Sequence, residues 1–456
     1  MPSLILINPW IHDFAAYDMW SKPLGLLYIA RYLIRYGFRV HLIDCLNVHH
    51  PGMQHAGDPP PKRRSYGTGK FRRSVIPPPE PLKHIQRPYS RYGITPEIFK
   101  HDLQAAEKPS AMLVTSLMTY WYPGVVEAIQ MAKAVYPDVP VILGGIYARL
   151  CTRHALQCSG ADQVISKADM ESLLSTLDTL GIPVPKPGPL GHQPLYPAFD
   201  LLNRIDYVCI QTGSGCLYRC EYCASPFLYP RLVRRPPQEV LEEILFWHRT
   251  FQVRDFAFYD DALLVDSPNH AAILLQGLKQ ARLDLRFHTP NALHIKEVTR
   301  EIAQLMYDTG FKTIRLGLET ADFTYRRTLD RKVEQGDFER AVSNLFEAGF
   351  KPRDVGAYIL MGLPDQTVGS VMETLDLVEK CGVTPYLVEY SPIPHTPLWQ
   401  RARAVSPCDI EAEPLFHNNT LFPCWDEEKK RTVPQLKERV SRIRQSKNHP
   451  CSHGFE

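Results

Sequence analysis

The chain has 456 residues, 44% of them hydrophobic and 22% charged, and a formal net charge of +3. That is ordinary globular composition, enough for two to four domains at about 150 residues each, and it excludes disorder, coiled coil and collagen-like fibre as overall descriptions. No run of eighteen apolar residues occurs, so no membrane-spanning helix is predicted, and so small a net charge does not by itself argue for nucleic acid.

Met1 to Tyr17 lacks the basic flank, apolar core and small-residue cleavage site of an export signal and reads as a first strand. Residues 4–8 are apolar and end at Pro9. A helix is predicted over 24–36, stopped by Gly37, then a strand over 39–44. Strands over 111–116 and 139–143 flank a helix over 125–136. Strands alternating with helices predict a parallel sheet covered on both faces, so residues 1–175 are expected to form an N-terminal α/β domain with a Rossmann-like parallel sheet.

This domain carries a basic, Pro-rich insertion over 51–104. It holds Pro59-Pro60-Pro61 and Pro77-Pro78-Pro79. Nine lysines and arginines lie between residues 62 and 91, with Glu80 their sole acidic neighbour. A connection this long inside a sheet domain is functional or disordered. The default expectation is a solvated basic loop. Contact with an anionic substrate or a polynucleotide is the alternative, and Tyr66, Phe71, Tyr89 and Tyr92 suggest packing onto something. Gly67-Thr68-Gly69-Lys70 lacks the full phosphate-loop spacing.

Residues 176–204 read as a linker. From 205 to 400 six strand-like runs follow: 207–211, 255–259, 285–288, 313–318, 355–360 and 387–391. Helices fit between them at 237–250, 269–278, 296–309, 338–347 and 371–380. Pro237 and the early Glu239, Glu242 and Glu243 suit a helix start, and Gly310 and Gly349 suit helix stops. Six βα-type units in a row predict a partial (β/α)6 barrel whose strand ends line its mouth. A small C-terminal extension, 401–456, contains a charged, solvated helix over 427–444, expected to break at Pro434.

Polar residues collect at those strand ends. Asp260 and Asp261 follow the second strand and Asn291 the third. Arg315 and Glu319 lie on the fourth, and Gly362 follows the fifth. Structural readings exist for each pattern: a helix cap for Asp260 or Asp261, a barrel ion pair for Arg315 and Glu319, a bare tight turn at Gly362.

Eleven cysteines, an odd number, in a chain with no predicted export signal do not make a disulfide framework. Most read as buried small side chains. Cys408, Cys424 and Cys451 are too irregularly spaced for a cluster motif. Three others are packed into eight residues, Cys216-Leu217-Tyr218-Arg219-Cys220-Glu221-Tyr222-Cys223. Three thiolates at Cys-x3-Cys-x2-Cys can wrap one soft metal centre. A zinc site usually wants a fourth ligand, whereas a cubane iron–sulfur cluster can leave one iron without a protein ligand.

This loop, with Tyr222 before its last cysteine, resembles the signature of radical S-adenosylmethionine (SAM) enzymes, and the resemblance covers about 200–400. It implies that Cys216, Cys220 and Cys223 hold a [4Fe-4S] cluster whose open iron chelates SAM. One electron then cleaves SAM to methionine and a 5′-deoxyadenosyl radical, which abstracts a substrate hydrogen. The resemblance also implies cofactor-binding roles for the polar residues. Asp260 or Asp261 would meet the methionine ammonium, Arg315 its carboxylate, Asn291 and Glu319 the ribose, and Gly362 the adenine through its backbone. A low-potential electron donor of the flavodoxin or ferredoxin type and a reducing, cytoplasmic compartment are implied with it.

The N-terminal sheet resembles the cobalamin-binding domain of class B members of that family, through Lys22-Pro23-Leu24-Gly25, Thr115-Ser116-Leu117-Met118-Thr119 and Gly144-Gly145. The cobalt-ligating Asp-x-His-x-x-Gly pattern is missing: Asn8-Pro9-Trp10 stands after the first strand. His49, in Asn47-Val48-His49-His50-Pro51-Gly52, is a near match after the wrong strand. Four functions stay open at this point. They are cobalamin-dependent methylation or rearrangement at an unactivated carbon of a small substrate, an anionic one among the options; cobalamin-free hydrogen abstraction; tRNA modification; and a non-catalytic iron–sulfur role.

Overall fold

The computed structural model describes residues 1–54, 61–167, 169–186 and 195–448. Pro59, Pro60, Cys451 and parts of 176–204 and 401–456 lie outside the described residues. The chain divides into two compact units, Met1–Asp206 with Ile410–His417, and Tyr207–Asp409 with the residues from Asn418 onward. Among the described residues, no helix is long and apolar enough to cross a membrane.

The first unit contains β1 (Ser3–Asn8), β2 (Ile11–Asp13), β3 (Arg39–Asp44), β4 (Arg73–Val75), β5 (Ser90–Tyr92), β6 (Ala111–Val114), β7 (Val141–Leu143) and β8 (Gln163–Val164). Five of them make a parallel sheet in the order β3-β1-β6-β7-β8. All six residues of β1 are buried, because alternate side chains enter two different cores. Ile5 and Ile7 join Met112, Val114 and Leu143 under the helices at Pro96–Ala105 and Tyr122–Val135. Leu4 and Leu6 join Leu26 and Leu33 of the Leu24–Arg35 helix and Leu173 and Leu177 of the Met170–Thr179 helix. The chain places β3 on one side of β1 and β6 on the other. The strand order therefore reverses between β1 and β6, the position where sheets of this order open a ligand crevice at their carboxyl ends.

The basic insertion is largely irregular and exposes Lys62, Arg64, Lys70, Arg73, Lys83 and Arg87, as a solvated basic loop would, but it is anchored. β4 and β5 extend β2 into a three-stranded antiparallel sheet, pairing Ile11 with Tyr92 and Arg73 with Tyr92. Thr95 caps the helix that follows by accepting from the Ile98 N–H. Phe71, Leu82, Tyr89 and Tyr92 are buried anchors, and part of the charge is neutralised by the Arg63–Asp18 and Arg91–Glu127 ion pairs. Anchors this sparse and unevenly spaced leave no periodic signal in the sequence.

The second unit contains β9 (Val208–Ile210), β10 (Gly213–Ser214), β11 (Val233–Arg234), β12 (Asp255–Phe258), β13 (Arg286–His288), β14 (Phe311–Glu319), β15 (Val355–Met361) and β16 (Thr384–Glu389). Six strands lie in the order β16-β15-β14-β13-β12-β9, every neighbouring pair parallel. Helices at Pro237–Phe251, Ala271–Ala281, Arg300–Asp308, Asp337–Glu347 and Val368–Lys380 connect them. This is the expected partial barrel. The third helix starts later than predicted, because Ile295–Glu297 forms a separate 3-10 turn and Thr299 caps the helix proper.

The helix at Glu427–Asn448 corrects one expectation. It runs through Pro434 without a break, and it is not solvated all round: Val433, Leu436, Val440 and Ile443 are buried. Packing of that stripe outweighs the hydrogen bond that proline cannot make.

Candidate cofactor site

The cysteine loop leaves the carboxyl end of β9. A two-residue clip fastens its base, pairing Gly213 with Arg234 and Ser214 with Val233. Gly215 turns the chain at φ +82°, where any Cβ would strike the Arg231 carbonyl. Further along, the Glu221 N–H donates to the Leu329 carbonyl (2.8 Å), and the Glu221 carbonyl accepts from Leu398 (2.9 Å).

The three thiols sit in unequal surroundings. Cys220 is buried, and Cys216 and Cys223 are partly exposed. Burial pushes the Cys220 thiol up to about 12 and raises the other two. Backbone donors oppose this: the Tyr218 N–H reaches Cys216 Sγ and the Ser225 N–H reaches Cys223 Sγ, each at 3.4 Å. His294 Nε2 lies 3.6 Å from Cys216 Sγ, under a stacked Tyr218 ring. Burial, Lys332 and Arg234 hold His294 down to about 3, so its imidazole is neutral.

Lys332 is the shared cation. Its ammonium donates to Glu319 Oε1 (2.8 Å) and to the Tyr222 hydroxyl (2.9 Å). Burial works against its charge, but Glu319, Cys220 and Asp330 together raise its proton affinity. It favours the thiolate at all three cysteines. Arg326 braces the preceding segment: it is buried, pairs with Asp330 at 3.0 Å and donates to the Leu318 and Thr320 carbonyls.

The predicted strand-end residues divide into distinct settings. Asp260 is buried, and both its oxygens accept from Thr212, through the backbone N–H (3.1 and 3.0 Å) and the hydroxyl (2.6 Å). Asp261 is exposed and accepts from the Ser225 hydroxyl at 2.6 Å. It raises the proton affinity of Cys216 and Cys223, so it stands within electrostatic reach of both. Asn291 donates to the carbonyls of Tyr259 (2.9 Å) and Asp260 (3.3 Å). Glu319 holds Lys332 from a left-handed backbone position at the end of β14. The Gly362 N–H donates to Gln366 Oε1 (2.9 Å), whose amide also grips Leu363 and Leu360, so this turn is clamped from within. Arg315 differs: its guanidinium lies on the Tyr386 ring and donates to the Tyr386 hydroxyl.

Sequence reasoning placed Thr212 at the end of the first strand without a role, and missed Lys332, His294 and Gln366. None belongs to a spacing motif, and their partners are distant along the chain. As the side chains stand, no three His, Cys, Asp or Glu residues among those described form a ready metal-holding group. The donor set nevertheless suits a soft cluster: three thiols on one loop, two with backbone N–H donors and all within electrostatic reach of Lys332.

The first unit presents a separate feature. Tyr17 and Met19 are exposed on the segment after β2 and Met118 on the segment after β6. His49 is engaged elsewhere, with Nε2 2.5 Å from Asp206 Oδ2.

Residues 210–378 match the model of the Radical SAM superfamily. An uncharacterised methyltransferase of Synechocystis is 25% identical over 235 residues, covering 50% of this chain and 43% of that protein. The match thus spans less than half of that relative's length. A cytidylyl-2-hydroxyethylphosphonate methyltransferase of Streptomyces wedmorensis is 20% identical over 453 residues, covering 83% of this chain and 77% of that protein. Among solved structures, the radical SAM methyltransferase TsrM of Kitasatospora setae, with cobalamin and a [4Fe-4S] cluster bound, has a TM-score of 0.66 at 16% identity. That alignment covers 100% of this chain and 92% of TsrM.

Proposed function

We propose a cobalamin-assisted radical reaction for this chain, proceeding from the radical SAM domain that its residues 210–378 form and from its two-unit fold, which is like that of cobalamin-dependent radical SAM enzymes. The reaction is methyl transfer to, or rearrangement of, an unactivated carbon of a small molecule. The observation that carries it is the loop at the end of β9, where Cys216, Cys220 and Cys223 lie within eight residues, backbone N–H groups point at two of the sulfurs, and Tyr222 inside the loop holds the Lys332 ammonium.

In this reading the three cysteines hold the cluster, and the crevice between β1 and β6 holds cobalamin without a histidine ligand from His49. When bound, these groups and SAM supply a low-potential electron, a radical precursor and a methyl carrier. The chain's own residues do the rest. Lys332 and the loop N–H groups stabilise thiolate charge. Asp261, exposed beside the loop, pairs with the SAM ammonium. Asn291, Glu319 and the Gly362 turn position its nucleoside. Sequence reasoning gives the SAM carboxylate to Arg315; Lys332 is the better candidate, because it is bonded to Tyr222 of the cysteine loop while Arg315 lies on Tyr386. Asp260 acts at one remove, by fixing Thr212 at the root of the loop.

The electron donor is of flavodoxin or ferredoxin type, and the compartment is reducing and cytoplasmic. A second reading, hydrogen abstraction without cobalamin, draws on the missing cobalt-ligating pattern and on the Asp206 contact of His49. Polynucleotide modification would draw on the exposed Lys62, Arg64, Lys70, Arg73 and Arg87 of the basic insertion, whereas Arg63 and Arg91 are ion-paired.

The test is anaerobic purification from cobalamin-supplied cells, with iron, sulfide and cobalamin quantified on one sample. The expected result is four irons and about one cobalamin per chain, and loss of the iron and of SAM cleavage in Cys220→Ala. Four irons without cobalamin, even after reconstitution, would leave the second reading. Full SAM cleavage by Cys220→Ala would sink the ligand assignment.

A further inference from the structure

β3 is the outer strand of the five-stranded sheet and pairs with β1 alone. The Arg39 and Cys45 N–H groups donate to the Pro2 and Asn8 carbonyls, on the β1 side. Backbone direction alternates along a strand, so Val40 and Leu42 turn their N–H and C=O groups the other way, to the free edge. Sheets ordinarily cover or blunt such an edge. Here a cavity of about 880 Å³ runs along it, and every residue from Val40 to Asp44 lines that cavity. At roughly 3.3 Å per residue, this is a groove for a strand of about five residues.

The two walls of the groove differ. Ile43 packs with Phe99 and Leu103 of the Pro96–Ala105 helix, whereas Val40 and Leu42 pack in the opposite core with Leu201. A strand added beside β3 therefore sets alternate side chains against the helix and against Leu201. The helix wall is acidic. Glu97, Asp102 and Glu107 line the cavity, and among the described residues no lysine or arginine does. Glu107 pairs with Arg39 at 2.8 Å, and Asp44 accepts from Asn8 at 2.7 Å, which leaves Glu97 and Asp102 for a ligand. His50 Nδ1 accepts from the Gly52 N–H (3.1 Å), so its proton sits on Nε2, 2.9 Å from Asp102 Oδ2. A neutral imidazole suffices for that contact, so Asp102 keeps its charge. Burial works against that charge, but His50 and His101 lower the proton affinity of Asp102. Burial lowers that of His41.

We propose that the free edge of β3 is a docking groove for an extended, basic peptide segment of a partner protein. The segment adds to the sheet beside β3 and bonds the outward backbone groups of Val40 and Leu42. Its lysines or arginines face Glu97 and Asp102, and the apolar residues between them face Leu201. Main-chain bonds hold the segment, and the basic–apolar alternation selects it. The groove lies wholly within the first unit, so it stands or falls apart from the radical reading of the second.

An acetylated, amidated Val-Arg-Val-Arg-Val peptide, titrated by calorimetry into the full chain, tests it. Saturable binding is expected, weakened about tenfold or more in Val-Glu-Val-Glu-Val and in the peptide N-methylated at every residue, which cannot donate to β3. Asp102→Asn is expected to weaken binding, as is Leu42→Pro, which removes one outward N–H where an edge strand tolerates proline; each loss is about tenfold. Absence of saturable binding in the wild type, equal affinity for the N-methylated peptide, or unchanged affinity in both variants overturns the groove. Arginine amide that binds as tightly as the pentapeptide overturns it too, because a cation alone then suffices. Should Leu42→Pro fail to fold, the N-methylated peptide on the wild-type chain decides the same point.

Discussion

Asp260 and Asp261 are neighbours with opposite fates, and their separation is the clearest lesson at the scale of single residues. Asp260 is 3% exposed. Burial pushes its carboxyl up to about 6, although Thr212, Arg234 and Gly213 pull it back. His270, itself held down to about 4 by burial, donates to the same Thr212 hydroxyl at 2.9 Å. Between the ordinary 3.8 and about 6, the folded chain therefore binds a proton that the unfolded chain does not. The Asp260 contribution to stability falls as pH rises through that window and is level above it, a loss of about 3 kcal/mol. His270 and His294 bind a proton only in the unfolded chain over this range and give a slope of opposite sign, so the contribution of Asp260 is read as the difference between wild type and Asp260→Asn in urea unfolding at steps from pH 4 to pH 7: the stability of the variant relative to wild type is expected to rise with pH. A difference that does not change with pH would assign the proton to another group. The acidic pair itself was legible as a strand-end feature. Which member turns to Thr212 and which to Ser225 is decided by residues 36 to 48 positions away.

At the scale of elements, the βα alternation was legible because each strand is a short apolar run and each helix a 3.6-residue pattern. All six barrel strands fall where those runs occur. The clip of β10 with β11 was not legible, since two residues per strand carry no period. The C-terminal helix misled for the opposite reason: a local breaker, Pro434, lies inside a segment that tertiary packing holds straight. Its ring leaves the Lys430 carbonyl without the usual donor. Pro434→Ala restores that donor and is expected to stabilise the second unit by about 1–3 kcal/mol. A raised thermal midpoint at unchanged helix content checks it, and an unchanged or lowered midpoint would mean that the proline contributes packing worth as much as the bond.

At the scale of the whole molecule, the basic insertion joins the two kinds of information. Its charge suggested a solvated arm and its aromatics a packed one, and Phe71, Tyr89 and Tyr92 are indeed buried in the first unit, together with Leu82. Each fully buried side chain of this size contributes about 1.5–3 kcal/mol. Deleting residues 62–91 is therefore expected to destabilise the N-terminal unit by several kcal/mol, seen as early proteolysis and a lowered urea midpoint. Unchanged stability would return the segment to a surface role. The sequence by itself determined the succession of a doubly wound sheet and a six-stranded partial barrel, and the three-thiol loop at a strand end, because apolar period and motif spacing are local properties of the chain. Only the tertiary structure decided that Lys332 bonds Tyr222 of that loop, that Asp260 is spent on Thr212, and that Arg315 and Arg444 both lie on the Tyr386 ring. Those are contacts between residues tens to more than a hundred positions apart, set by register and burial, and no local pattern encodes them.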